Sequence, residues 1–132
     1  MLEASPDIAV KRIYDPPDPK DGARVLVDRL WPRGARKETA KLTLWLKDIA
    51  PSDELRRWFD HDPARFAEFW RRYRAELTVN KEAVSRMDDL MKAGRVTLLY
   101  AAHDEEHNHA RVLADYLKAR ASLSRAQGRR GD

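Results

Sequence analysis

Apolar and polar positions alternate loosely from Ile8 to Tyr14, where Ile8, Val10 and Arg12 oppose Ala9, Lys11 and Ile13. The β-branched content of this stretch predicts a strand. Asp15 to Gly22 holds three prolines and a glycine, which predicts an exposed loop. Arg24 to Leu30 carries the short apolar run Val25-Leu26-Val27 closed by Asp28, the pattern of a strand buried on both faces. A second such run spans Val96 to Ala102.

Between them the period lengthens. Leu42, Trp45, Leu46 and Ile49 follow helical spacing and predict a short helix or turn. Pro51-Ser52 opens a helix with Leu55, Trp58 and Phe59 on one face. Asp62-Pro63 reads as an N-cap followed by proline at the first helical position. Phe66, Phe69, Trp70, Tyr73 and Leu77 then form one apolar stripe. Asn80 is expected to cap a third helix, with Val84, Met87, Leu90 and Met91 on its buried face and Gly94 at its end. Asn108 is expected to cap a last helix bearing Val112, Leu113, Tyr116 and Leu117.

The order is strand, strand, helices, strand, helix. The long helical span between Val25–Asp28 and Val96–Ala102 is a crossover, and crossovers of that length join parallel strands. The expected fold is α/β: a single small domain with a short central sheet, those two strands parallel in its middle, and helices packed against it. Ile8–Tyr14 is expected beside Val25–Asp28. Residues 1–118 make the domain, and 119–132 read as a basic, flexible C-terminal tail.

Charge sharpens that boundary. The net charge is +4, and 118–132 alone holds five basic residues and one acid. The remaining 117 residues carry 21 of each sign, so no broad basic surface for nucleic acid is expected on the domain. The chain has no cysteine, which removes disulfide, thiolate and Cys-ligated metal chemistry. No apolar run is long enough for a membrane span, and Met1 to Asp7 does not read as a signal peptide. A cytoplasmic location is expected.

Ligands of open α/β sheets bind outside the carboxyl ends of parallel strands. Two such ends are visible. The first, Asp28 to Gly34, is locally basic: Arg29, Arg33, Arg36 and Lys37 stand in 29–37 without an acid. Arginine forks suit phosphate and carboxylate. Asp28 can orient an arginine or move a proton, or serve only to hold the turn. Trp31 can stack on a ring or cap the core. The second end, Tyr100 to His109, holds three of the four histidines. If Asn108 caps the helix, His109 lies beside free backbone N–H groups, a setting that suits a neutral ring and an anion. A neutral His109 can act as a base, donate a hydrogen bond or bind a backbone carbonyl. His103, Asp104, His107 and His109 are metal-ligand types, but their spacing matches no metal signature, and no metal or other cofactor is expected. Trp58 and Trp70 read as core, and His61 as structural or exposed.

Several of these segments together are similar to one family. Val10 to Pro16, Val27-Asp-Arg-Leu-Trp-Pro-Arg-Gly34, Trp45 to Ser52, Leu55 to Phe59, Leu98 to Ala102 and Asn108-His-Ala110 resemble, in order, the YeaO-like branch of the domain-of-unknown-function 488 family. The resemblance implies no established reaction. The family's other branch has a similar plan with a Cys-His-Arg element after the later strand. Here Asn108 stands for the cysteine and Ala110 for the arginine, which puts cysteine chemistry in doubt. The resemblance carries over Asp28, Arg29, Arg33 and His109 as suspected site residues.

These readings favour a binder or processor of an anionic, phosphate- or nucleotide-like small molecule. Asp28 and His109 are the catalytic candidates, and Arg29, Trp31, Arg33, Tyr100 and Asn108 the ligand-binding ones. A nucleic-acid-binding or regulatory module using Arg29–Lys37 and the tail is the alternative, and a metal-dependent hydrolase a second one. The sequence leaves the oligomeric state open.

Overall fold

The computed structural model describes residues 7–130, with side chains through Leu123. Four strands, β1 (Ile8–Arg12), β2 (Ala23–Leu26), β3 (Leu44–Trp45) and β4 (Val96–Tyr100), form one sheet in the order β1-β4-β2-β3. All three pairings are parallel. The helices are α1 (Lys37–Ala40), α2 (Asp53–Phe59), α3 (Phe66–Val79), α4 (Lys81–Ala93) and α5 (His109–Arg130). The architecture is the expected α/β single domain with β2 and β4 adjacent at its centre. No helix among the described residues is long and apolar enough to cross a membrane.

Strand alternation divides the core in two. Ile8, Val25, Val27, Val96, Leu98 and Tyr100 face the larger cluster, which they share with α2–α5. Leu26, Leu99 and Ile13 face a smaller one closed by Ala40 of α1 and flanked by Trp31, Leu42 and Trp45. β4 is buried along its whole length, as expected of a central strand with both faces covered.

Three expectations need correction. β1 pairs with β4, not β2. The proline-rich segment after β1 does not link neighbours; it passes over β4 and fastens to it, with Thr97 Oγ1 donating to the Asp21 carbonyl at 2.8 Å. Gly22 completes the passage. Its φ is +67°, and a Cβ there would lie 2.3 Å from the Arg95 carbonyl oxygen, so only glycine fits. Second, the stretch predicted as a short helix or turn is the edge strand β3 followed by a 3₁₀ turn, Lys47–Ile49. Trp45 joins the smaller cluster and Leu46 the larger, so the sheet's two-residue alternation overrides the helical spacing. Third, Asn80 stands at the N-cap position of α4 without a side-chain cap; its Nδ2 donates to the Asp48 carbonyl instead, at 2.8 Å.

Other local signals hold. Ser52 Oγ caps α2 through Leu55 N–H at 3.2 Å. Asp62 caps a proline-led 3₁₀ turn, Pro63–Arg65, that runs into α3. Helix α5 continues to Arg130 through the segment read as a tail. The side chains of Arg125, Arg129 and Arg130, and residues 131–132, lie outside the described residues.

Candidate functional site

Because β2 and β4 are parallel neighbours, the segments that leave them emerge on the same rim of the sheet. Asp28 follows β2, and the loop 101–108 carries the chain from β4 to α5. The two meet directly. Asp28 Oδ2 accepts from the Ala101 N–H at 3.2 Å. His109 Nε2 lies 3.1 Å from the Val27 carbonyl oxygen and 3.0 Å from Asp28 Oδ1. Only the carbonyl is aligned with the ring N–H, so Oδ1 is buried without an aligned donor despite its short distance. Both neighbours of Nε2 are acceptors, and Nε2 therefore carries the proton. His109 Nδ1 makes no hydrogen bond within the described residues and is not among their buried, unpaired atoms.

A cavity of about 670 Å³ opens over this contact. Phe59 and Phe69, stacked with ring centroids 4.2 Å apart, contribute to its wall with Ala50 and Pro51. All four histidines of the chain line it, as do Arg33 and Arg56. Asp28 and His109 are deep, with side chains 17% and 16% exposed. Arg33 is exposed, and its guanidinium has no hydrogen bond or ion pair within the described residues. Arg56, also exposed, donates to Asp53 Oδ1 at 2.9 Å.

The loop that brings His109 here is tied to itself. Asp104 accepts from the N–H groups of Glu106 and His107, each at 2.9 Å, and lies 2.9 Å from His107 Nδ1. The His107 and Glu106 N–H groups, followed by the His107 ring, hold the Asp104 pKa below its ordinary value. Asn108 is buried and uses both ends of its amide: Nδ2 donates to the Asp104 carbonyl and Oδ1 accepts from Arg111 N–H at 3.1 Å. It is the expected cap of α5, and with its amide engaged it lines the cavity as scaffold.

Other expected site residues lie elsewhere or are otherwise engaged. Arg29 lines the cavity, but its guanidinium donates to the carbonyls of Ala50 at 3.1 Å and Pro51 at 3.3 Å, and it holds the wall. The same residue borders a smaller cavity of about 220 Å³ on its other side. Trp31 does not line the large cavity. Its Nε1 donates to the Ala35 carbonyl at 2.8 Å and its ring meets Trp45 edge-on, so it caps the smaller core cluster. Tyr100 is buried in the larger cluster, on the same strand face as Val96 and Leu98, and burial raises its pKa. Among the described residues no group of three His, Asp or Glu side chains could hold a metal ion. His103, Asp104, His107 and His109 thus lie along one wall without forming a ligand set. Sequence reasoning missed Tyr14, Arg56, Phe59 and Phe69 as lining residues. His61, read as structural or exposed, is exposed and lines the cavity as well.

The family described as the inactive DUF488-N3 subclade has a model that matches residues 7–130. The chain is a YeaO-like member of the DUF488 family. It is 45% identical over 113 residues to the uncharacterized protein YeaO of Escherichia coli K12, covering 86% of this chain and 98% of that one. It is 44% identical, also over 113 residues, to the uncharacterized protein Rv3073c of Mycobacterium tuberculosis H37Rv, covering 86% and 95%. No solved structure matches. In this DUF488 member the cavity contains no cysteine, serine or threonine side chain among its lining residues. A covalent mechanism through a thiol or aliphatic hydroxyl has no donor there.

Proposed function

We propose that the chain binds a small anionic molecule, phosphate- or nucleotide-like, in the cavity at the strand ends, and that it acts as a binder and not through a covalent intermediate. The observation that carries this reading is the cavity itself. Its volume, about 670 Å³, is that of a small-molecule site, and a free guanidinium and an imidazole with one open nitrogen line it together. Arg33 and Arg56 supply the forks that suit phosphate or carboxylate. Phe59 and Phe69 offer apolar wall to the remainder of the ligand. The family description, with its word inactive, supports binding over turnover.

The nucleic-acid alternative is weaker, since Arg29, one of its four local cations, is turned onto backbone carbonyls. The hydrolase alternative lacks a metal-ligand set among the described residues.

Calorimetric titration at low salt with inorganic phosphate, pyrophosphate and nucleoside phosphates tests the proposal. Saturable binding of at least one of them, weakened about tenfold by Arg33→Ala, is the expected result, a loss of the size typical of one charge-assisted contact. No saturable heat with any of them would end it.

A further inference from the structure

The cavity has two chemically different levels. At its mouth stand exposed cations, Arg33 and Arg56. At its base the groups are acceptors. Asp28 is an acid whose Oδ2 already receives one N–H, from Ala101. His109 directs Nε2–H toward the Val27 carbonyl and Asp28, so in the neutral ring Nδ1 keeps its lone pair and has no internal donor. A phosphate placed at the base would meet the Asp28 carboxylate. At the mouth it would meet guanidinium groups. The base instead suits a ligand N–H, because a site built to receive a hydrogen-bond donor rejects analogues that lack one. The exposed ring of His61 and the half-buried ring of His107 also line the cavity, with Phe59 and Phe69 buried behind its surface.

Resting on the anion-binding reading, we infer that the ligand is a nucleoside monophosphate whose base carries an amino or imino N–H, its phosphate held by Arg33 and Arg56 and its base donating to His109 Nδ1. The rings of His61 and His107 offer flat faces to the heterocycle. The Val27 carbonyl, with the Asp28 carboxylate beside it, fixes the ring of His109 so that Nδ1, not Nε2, meets the ligand. No bond is made or broken in this step.

The experiment compares four compounds by calorimetry at pH 8: inorganic phosphate, ribose 5-phosphate, AMP, and purine riboside 5′-monophosphate, which is AMP without its amino group. AMP is expected to bind about tenfold or more tighter than the purine riboside analogue. In His109→Phe that preference is expected to vanish, and a preference of about tenfold that survives in this variant would overturn the assignment of the contact to Nδ1. Arg33→Ala is expected to weaken every phosphate compound alike. Equal affinity of the wild type for AMP, purine riboside monophosphate and ribose 5-phosphate would overturn the base-recognition inference and leave the anion reading standing. Absence of binding by all four would remove both. Because the AMP comparison uses the unaltered chain, the inference stays open to refutation even if His109→Phe fails to fold.

Discussion

Strand β2 has an acid just before it and another just after it, and the two meet opposite fates. Asp21, before the strand, receives the Asp18 N–H, the Lys11 ammonium and the Arg24 guanidinium, and it is buried. Arg24 in turn donates to the Ala40 carbonyl at 2.9 Å, so one ion cluster ties the crossing loop, β1, β2 and α1 together. Asp28, after the strand, has one aligned donor, and its second oxygen has none. Both residues belong to the same short segment and carry the same charge. The difference lies in what surrounds them: a closed loop that saturates one, and a cavity that leaves the other's histidine partner with a free nitrogen. The saturated acid acts as a fastener, although the Nη2 of its partner Arg24 is buried without a bond, while the incompletely served one holds a ring whose other nitrogen is open.

The contrast can be broken most forcefully at its closed end. Arg24→Ala takes the guanidinium from Asp21, which keeps Lys11 and the Asp18 N–H, and leaves the Ala40 carbonyl without its donor, so the cost should lie at the low end of the roughly 3–5 kcal/mol for breaking a buried pair. Urea denaturation should show a loss of that size; a loss below about 1 kcal/mol, the range of exposed pairs, would make the cluster a surface feature.

Acid should loosen the same fastener more gradually. Burial alone raises the Asp21 pKa, but the Asp18 N–H, Lys11 and Arg24 outweigh it and the net shift is downward from 3.8. A pKa lowered by folding gives stability that is complete above the unfolded value and fades as pH falls through the folded one. The urea midpoint should therefore drop below about pH 4. The exposed Glu68, lowered to about 2 mainly by Arg71 and Arg72, shares that window. The contribution of Asp21 is the part by which Asp21→Asn, already weaker at neutral pH, shows a shallower fall. An acid limb identical in wild type and Asp21→Asn would remove Asp21 from the account.

At the open end the effect is smaller. With its oxygen kept on the Ala101 N–H, the amide of Asp28→Asn puts an NH₂ where the buried Oδ1 stood, a donor facing the His109 N–H, which keeps its own bond to the Val27 carbonyl. Asp28→Asn should cost about 1–2 kcal/mol, the range for one unsatisfied buried donor. A cost matching that of Arg24→Ala would erase the distinction between the two acids. Smallest of all, Arg33→Ala removes an exposed side chain without internal partners, and its unfolding free energy should stay within about 0.5 kcal/mol of wild type. A larger loss would mean that Arg33 belongs to the scaffold.

The sequence made much of this framework readable because its signals are local. Val25–Val27 and Val96–Tyr100 are apolar runs that suit doubly covered strands, and the caps at Ser52, Asp62 and Asn108 announce helix starts. Strand order was not readable. Nothing in the period of Ile8–Arg12 says that its neighbour lies nearly ninety residues ahead, at Val96–Tyr100. The meeting of Asp28 with His109 followed from the parallel pair and from the position of Asn108. Alternation along β4 puts Tyr100 on the core face with Leu98, so its nearness to the strand end does not bring it to the cavity. Of the two places open to Trp31, stacked on a ring or capping the core, Trp45 and the Ala35 carbonyl give the second. Arg56, Phe59 and Phe69 come from α2 and α3, and no local pattern separates a residue that lines a cavity from one that fills a core.

The central position of β4 also bears on how the chain is made. β4, one of the two interior strands, is the last strand to leave the ribosome, after residue 95, while its two neighbours, β1 and β2, are translated within the first 26 residues. Until Tyr100 emerges, both early strands wait with open hydrogen-bonding edges, and only β2 has another partner, the two-residue β3. Such non-local pairing slows folding and exposes strand edges to other nascent chains. A chain ended before Val96 would lack one of the two interior strands and leave β1 without its pairing partner.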